Sequence, residues 1–253
     1  MITEKLKQEQ DRILDTDIQG CITGSSLMDA DFDRWDVTPD IDVFTYSPYA
    51  FVHAIDVIEY KLGYQPGGDA ITTDAGERWK ASKARLSGRG TGDLVTCKFR
   101  KDGIVVNVSN RKMQRSAMDV ITNFDMSIVL QAIDIPSGAP IDFRDAKAKN
   151  DVAEIIGTKG GSTEVAVPNP FRSFDGTTWN AKKWLRQWDR VIKYANRGYD
   201  TLPMAKFYKH MIREVTEGGC LFKTEKSKQN YEEFVKEFSE LEVKIDAWIG
   251  EHE

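Results

Sequence analysis

The chain has 253 residues, 40% hydrophobic and 30% charged, with a net charge of −5, which is the composition of a soluble globular protein with room for one large domain or two small ones. No apolar run approaches the roughly 20 residues that span a bilayer. The opening MITEKLKQEQDRIL lacks the apolar core of a secretory signal, so a cytoplasmic protein without membrane attachment is expected. Cys21, Cys97 and Cys220 stand far apart without CxxC spacing, and with only three histidines a histidine-based metal site is not expected. Charge is unevenly spread. Arg78 to Arg115 holds eleven Lys or Arg against Asp93 and Asp102, whereas Thr224 to Glu253 holds nine acids against four bases. A basic centre suits a phosphate-bearing ligand, and it equally suits a solvated strand face.

In chain order, Leu6, Ile13 and Leu14 predict an opening helix, and Ile18 to Thr23 a short strand ending at Gly24. Ile41, Val43 and Phe44 mark a second strand closed by Ser47-Pro48. Helical spacing of apolar residues from Tyr49 to Leu62 predicts a helix capped by Gly63. A polar helix is expected within Glu77 to Leu86, followed by the Gly-rich loop Ser87 to Gly92. Leu94 to Phe99 and Ile104 to Val108 predict a hairpin turning at Asp102-Gly103. Met118 to Phe124 reads as a short helix and Met126 to Ile133 as a strand. Strands mixed with helices predict an α+β domain over residues 1–145.

Beyond it, Lys159 to Ser162 and Pro168 to Pro170 are loop material. Ala181, Trp184, Leu185, Trp188, Val191, Ile192 and Ala195 form one apolar helix face, with Gly198 placed to end it. Leu202 to Val215 predicts another helix, and Tyr231 to Trp248 a long last one. A mostly helical domain is expected over residues 146–253.

The chemistry begins at Gly24-Ser25-Ser26 and Asp40-Ile41-Asp42. Alternation along a strand puts Asp40 and Asp42 on one face. Neighbouring carboxylates repel unless a positive group lies between them, and hard oxygen donors on a strand suit Mg²⁺, which also binds phosphates. Gly24 permits a tight turn, and Ser25, Ser26 and nearby N–H groups can hold phosphate oxygens at a helix start. The competing reading is structural: a generic turn, and an Asp-x-Asp strand whose acids face solvent.

Ile22-Thr23-Gly24-Ser25 and Asp40-Ile41-Asp42-Val43 together resemble the motif of the polymerase-beta-like nucleotidyltransferases, in which an apolar strand and a Gly-Ser turn precede an acid-apolar-acid strand. The motifs cover about 25 residues. The resemblance implies a small mixed sheet flanked by helices, a helical second domain closing a cleft, and two Mg²⁺ ions, with Mn²⁺ as a substitute. It also implies transfer of a nucleoside monophosphate from a nucleoside triphosphate such as ATP. The long spacer, Phe124-Asp125-Met126 and Lys193-Tyr194-x-x-Arg197-Gly198-Tyr199 look like uncharacterised nucleotidyltransferase-like proteins of bacteriophages and large viruses, implying a host cytoplasm.

One position departs from the family. Its third carboxylate would fall in Gly103 to Ser109, which offers Asn107. An amide coordinates Mg²⁺ less well than a carboxylate and is no base near neutral pH. Asp125 is the expected substitute. Otherwise the site works with two acids, or it binds nucleotide without transferring it.

Arg186, Arg190, Lys193 and Arg197 fall at offsets of four, three and four, so they share one helix stripe. That stripe is either a solvated face or the holder of the triphosphate tail, with Lys193 and Arg197 the preferred pair. Arg85 and Arg89 are alternatives; the loop beside them lacks the Lys-Ser/Thr ending of a P-loop. The expected enzyme binds metal through Asp40 and Asp42, with Asp125 as a further catalytic acid. It binds phosphates through Gly24, Ser25, Ser26, Lys193 and Arg197. Its acceptor is a hydroxyl of RNA, such as tRNA, or of protein. The alternative is a nucleotidyltransferase-fold binding protein with impaired catalysis, acting on a host protein.

Overall fold

The structure is a computed structural model that describes residues 2–32, 40–67, 94–111, 114–145, 164–171, 181–217 and 225–253. The expected helix within Glu77 to Leu86, the Gly-rich loop with Arg85 and Arg89, the loop Lys159 to Ser162, and Cys220 lie outside the described residues. The fold is α+β. The chain divides into two units: Met1–Phe124 with Val129–Phe143, and Asp125–Ile128 with Arg144–Glu253.

The first unit is built on a seven-stranded mixed sheet. Its strands are β1 (Gly20–Thr23), β2 (Asp40–Thr45), β3 (Gln65–Pro66), β4 (Leu94–Lys101), β5 (Ile104–Arg111), β6 (Gln131–Asp134) and β7 (Pro140–Asp142), in the spatial order β3-β4-β5-β2-β1-β6-β7. All neighbours are antiparallel except β2 and β5, which run parallel with Asp42 opposite Asn107. The β4–β5 hairpin closes at Asp102 (φ 50°) and Gly103 (φ 84°). Two successive left-handed residues give the tight turn whose twist matches the paired strands, and Asp-Gly tolerates it best.

Helix α1 (Ile2–Leu14) turns Leu6, Gln10 and Ile13 inward at helical spacing. Helix α3 (Pro48–Asp56) starts where Ser47 Oγ accepts a hydrogen bond from Ala50 N at 3.1 Å, with Pro48 in its first turn. It widens into a π turn over Val57–Lys61, so the expected regular helix through Leu62 is not uniform. Leu62 N bonds to Val57 O at 2.9 Å; Val57, Ile58 and Leu62 stay buried, while Tyr60 and Lys61 face out. Ile22, Ile41, Val43, Phe99, Val106 and Val108 from the strands join Leu6, Ile13, Phe51, Ile55 and Ile58 in one core. Each such side chain contributes roughly 1.5–3 kcal/mol by leaving water. A smaller cluster combines Cys21 and Ala132 with helix α4 (Ala117–Ile121), and Phe44 and Phe124 pack against it, edge to face at 5.9 Å.

The strand expected from Met126 to Ile133 is shorter. Ser127–Val129 forms a 3₁₀ turn and only Gln131–Asp134 joins the sheet. Ser127 N instead donates to Val167 O at 2.8 Å, Val167 N donates to Ser127 Oγ at 3.0 Å, and Met126 bridges to Pro168. The strand β7 was not expected from the sequence.

In the second unit, α5 (Ala181–Asn196), α6 (Leu202–Glu217) and α7 (Glu225–His252) pack on Trp188, Val191, Phe207, Tyr208, Phe238, Leu241 and Ile245. Trp188 meets Trp248 edge to face at 5.8 Å. Lys206–Glu253, Lys209–Asp246 and Arg213–Glu242 pair α6 with α7 in antiparallel order. No described helix is long and apolar enough to cross a membrane.

Three outcomes follow from this packing. Ile41→Ala removes a fully buried side chain from the central strand, so urea unfolding should show a loss of about 2–5 kcal/mol with an unchanged slope. Burial opposes ionisation of Glu9, but hydrogen bonds from Arg12 and Tyr64 and the charge of Lys101 outweigh it and hold the carboxyl below its ordinary 4.5. The resulting stabilisation is present above the unfolded value and lost as pH falls through the folded one. Glu9→Gln should therefore flatten the decline in melting temperature below about pH 5. Burial also pushes the Cys21 thiol up to about 12, so alkylation near pH 8 followed by peptide mapping should leave Cys21 unmodified until the chain unfolds.

Candidate active site

Strand β2 alternates: Ile41, Val43 and Thr45 are buried on the core face, while Asp40, Asp42 and Phe44 are half-buried on the other. The two aspartates therefore share a face, as their spacing requires. Antiparallel pairing sets Thr23 opposite Asp42, and Thr23 Oγ1 donates to Gln131 O at 2.6 Å, tying the end of β1 to β6. The chain then turns through Gly24 and enters helix α2 (Ser25–Phe32).

Gly24 is required twice over. Its φ is +87°, a left-handed value that side chains disfavour, and a Cβ built there would lie 2.4 Å from Asp42 Oδ2. The carboxylate of Asp42 thus rests against the bare backbone of the turn. Next in the chain, Ser25 Oγ donates to Asp40 Oδ1 at 3.2 Å. The turn and the acidic strand form one assembly.

Parallel pairing with β5 adds Asn107. Its Nδ2 donates to Asp42 Oδ1 at 2.9 Å and lies 3.5 Å from Asp40 Oδ2. Carboxylates only accept, so the amide NH₂ faces them and Oδ1 points elsewhere; among the described residues, that oxygen is buried and without a hydrogen-bond partner. Ser26 Oγ is in the same condition. The structure therefore brings together Gly24, Ser25, Asp40 and Asp42 with Asn107, and places Ser26 beside Ser25 in the first turn of α2. Among the described residues, no group of three or more His, Cys, Asp or Glu side chains is placed to hold a metal ion. The described residues bring together two carboxylates and the amide NH₂ of Asn107.

The remaining candidates belong to the second unit. Asp125 is buried and forms an ion pair with Arg190 at 3.0 Å, while its backbone oxygen accepts from Asn169 N at 3.0 Å. Arg190 and Arg197 lie 5.7 and 5.9 Å from the ring centroid of Tyr194, within cation–π range, and Lys193 is exposed. Helical offsets of four and three make Arg190 and Arg197 neighbours of Tyr194, whereas nothing local marks the pairing of Arg190 with Asp125, 65 positions away in the chain. Arg186 has no described side chain.

No protein-family model matches the chain, and no curated protein does. A solved structure of a tRNA-processing enzyme, in its apo form 2, is similar with a TM-score of 0.44 and 10% identity, covering 96% of this chain and 58% of that one. This chain thus spans less than two thirds of that protein. A likeness of that strength carries no argument about activity, and the site is read from its own residues.

The contact between Gly24 and Asp42 is testable against an internal control. Gly63 also has positive φ (+76°), but a Cβ there meets nothing within 4 Å. Gly63→Ala should cost about 1 kcal/mol in chemical denaturation and Gly24→Ala clearly more, with Asp42→Ala recovering part of the Gly24→Ala loss.

Proposed function

We propose that this chain is a Mg²⁺-dependent nucleotidyltransferase of the polymerase-beta-like kind, moving a nucleoside monophosphate from a nucleoside triphosphate to a hydroxyl. The observation that carries this reading is the joint placement of the Gly24-Ser25 turn and the Asp40/Asp42 face, with Ser25 Oγ bonded to Asp40. Two carboxylates on neighbouring positions of one strand face form a hard-oxygen donor set. Asp40 and Asp42 would hold the cation. When bound, it would supply charge neutralisation at the α-phosphate and at the departing pyrophosphate.

The chain's own residues do the rest by positioning. The N–H groups at the start of α2 and the hydroxyls of Ser25 and Ser26 would donate to phosphate oxygens, because a helix start presents unpaired donors and a partial positive charge. In the reaction the acceptor oxygen forms a bond to the α-phosphorus while the α–β bridging bond breaks. Pyrophosphate leaves with that electron pair, and the hydroxyl proton passes to solvent or phosphate. Asn107 cannot take that proton. We assign Asp125 to anchoring Arg190, because one oxygen of its buried carboxylate pairs with that guanidinium. We assign Lys193 and Arg197 to binding phosphate, with RNA or a protein hydroxyl as the acceptor.

Asn107 also favours a second reading, nucleotide binding without transfer, since among the described residues it leaves the acidic cluster at two carboxylates. Incubation with each α-³²P-labelled nucleoside triphosphate, Mg²⁺ or Mn²⁺, and total host RNA and protein separates the two. Wild type should label one acceptor class, and Asp40→Asn with Asp42→Asn should reduce labelling by about 100-fold or more. Nucleotide binding without label for any base or metal would select the second reading. Lys193→Ala with Arg197→Ala should raise KM for nucleotide or acceptor while leaving the fold unchanged by circular dichroism.

A further inference from the structure

The sheet face that carries Asp40 and Asp42 continues sideways onto β5 and β4. Register makes two rungs of it: Asp42 stands opposite Asn107 and Asn107 opposite Lys98, while Asp40 stands opposite Val105 and Val105 opposite Arg100. Alternation in β4 fixes the side, since Cys97 and Phe99 are buried in the core and Lys98 and Arg100 are exposed. Helices α1 and α3 pack on that core and so cover the opposite face. With strands about 4.8 Å apart, each cation's backbone lies roughly 10 Å from that of the acid in its rung, and the two cations stand about 7 Å apart along β4.

Neither cation is committed elsewhere. Among the described residues, the side chains of Lys98 and Arg100 make no ion pair and no hydrogen bond. Arg100 is nevertheless placed: its stem lies over Gly67, where an added Cβ would stand 3.1 Å from Cγ and 3.2 Å from Nε. Gly67 N in turn donates to Lys98 O at 2.8 Å. In the next rung the hydroxyls of Thr96 and Ser109 share a hydrogen bond at 2.8 Å, so the face stays polar.

The acids therefore have two unlike flanks. On the β1 side is the Gly24-Ser25 turn, assigned above to the nucleotide's phosphates; on the β5 side are two unpaired cations. Phosphoryl transfer keeps the attacking and leaving oxygens in line on opposite sides of phosphorus. With pyrophosphate leaving at the turn, the acceptor hydroxyl arrives over β5 and β4. There it meets positive charges spaced like successive phosphates of an extended single strand, a repeat that a protein segment does not offer. Resting on the reading of this site as a nucleotidyl-transfer centre, we propose that Lys98 and Arg100 seat the phosphodiester backbone of the acceptor, which is the single-stranded end of a nucleic acid and not a protein.

The test titrates the full chain against fluorescent 12-nucleotide single strands of RNA and of DNA by anisotropy, between 50 and 200 mM salt without divalent metal. Lys98→Gln with Arg100→Gln should weaken binding at least about tenfold, and two lost phosphate contacts at about 0.7 each should make the dependence of log affinity on log salt shallower by about 1.4. Lys7→Gln with Lys61→Gln removes the same charge from exposed positions of α1 and the π turn and should bind as wild type does. Tighter binding of RNA than of DNA would assign part of the recognition to the 2′-hydroxyl, and equal binding would assign it to the backbone alone; either agrees with the proposal when the variant loses affinity. Wild type that binds neither strand, a Lys98/Arg100 variant that binds as wild type does, or an equal loss in the Lys7/Lys61 variant would overturn it, as would label transferred to protein and not to nucleic acid. If wild type neither binds a Mn²⁺ complex of a non-hydrolysable nucleoside triphosphate nor transfers label to any acceptor, the functional reading fails and the acceptor assignment with it, a result separate from the strand titrations.

Discussion

The parallel pairing of β2 with β5 is the constraint on which the site depends. It sets Asp42 opposite Asn107 between an antiparallel β1 on one side and the β4–β5 hairpin on the other. Because side chains alternate with a period of two, a slip of one residue would turn Asn107 into the core and bring Val106 or Val108 to the acids. The buried Ile41, Val43, Val106 and Val108 on the opposite face forbid that slip. The apolar core of the first unit is therefore what aligns the polar groups on its other side. Packing determines register, and register determines which side chains meet.

Given that register, electrostatics decides the arrangement of the polar face. Like charges at neighbouring positions require donors, and those described include an amide from β5 and a hydroxyl from the first residue of α2. A hydrogen bond to an ionised group is worth roughly 1.5–3 kcal/mol net, so a few such contacts suffice to hold two carboxylates near each other. The left-handed Gly24 lets the backbone come close enough for Asp42 to rest on it. In the second unit the same logic takes another form: the buried Asp125 is matched by Arg190, which also lies near the ring of Tyr194. A buried carboxylate without such a partner would be strongly destabilising.

Much of this was legible from local pattern. Alternation placed Asp40 and Asp42 on one face, Asp102-Gly103 marked the hairpin, and apolar spacing marked α1, α3 and the three long helices. These features depend on neighbours a few residues apart. What local pattern could not supply was pairing between distant segments. The partnership of Asn107 with both acids needs the parallel β2–β5 register across 65 residues, and the diversion of Met126 to Val129 away from the sheet depends on Val165 to Pro168. The π turn at Val57–Lys61 also escaped, because its apolar spacing differs too little from that of a regular helix. Asn107 departs from an acidic motif in the sequence, but its role as a donor to the two carboxylates follows from the β2–β5 register.

The most direct measurement is a crystal structure of the chain with Mn²⁺ and a non-hydrolysable nucleoside triphosphate, collected for the anomalous signal of manganese. The expected result is an anomalous peak bonded to Asp40 and Asp42, with phosphate oxygens at the Gly24-Ser25 turn. Nucleotide bound elsewhere, or a manganese site that touches neither aspartate, would contradict it.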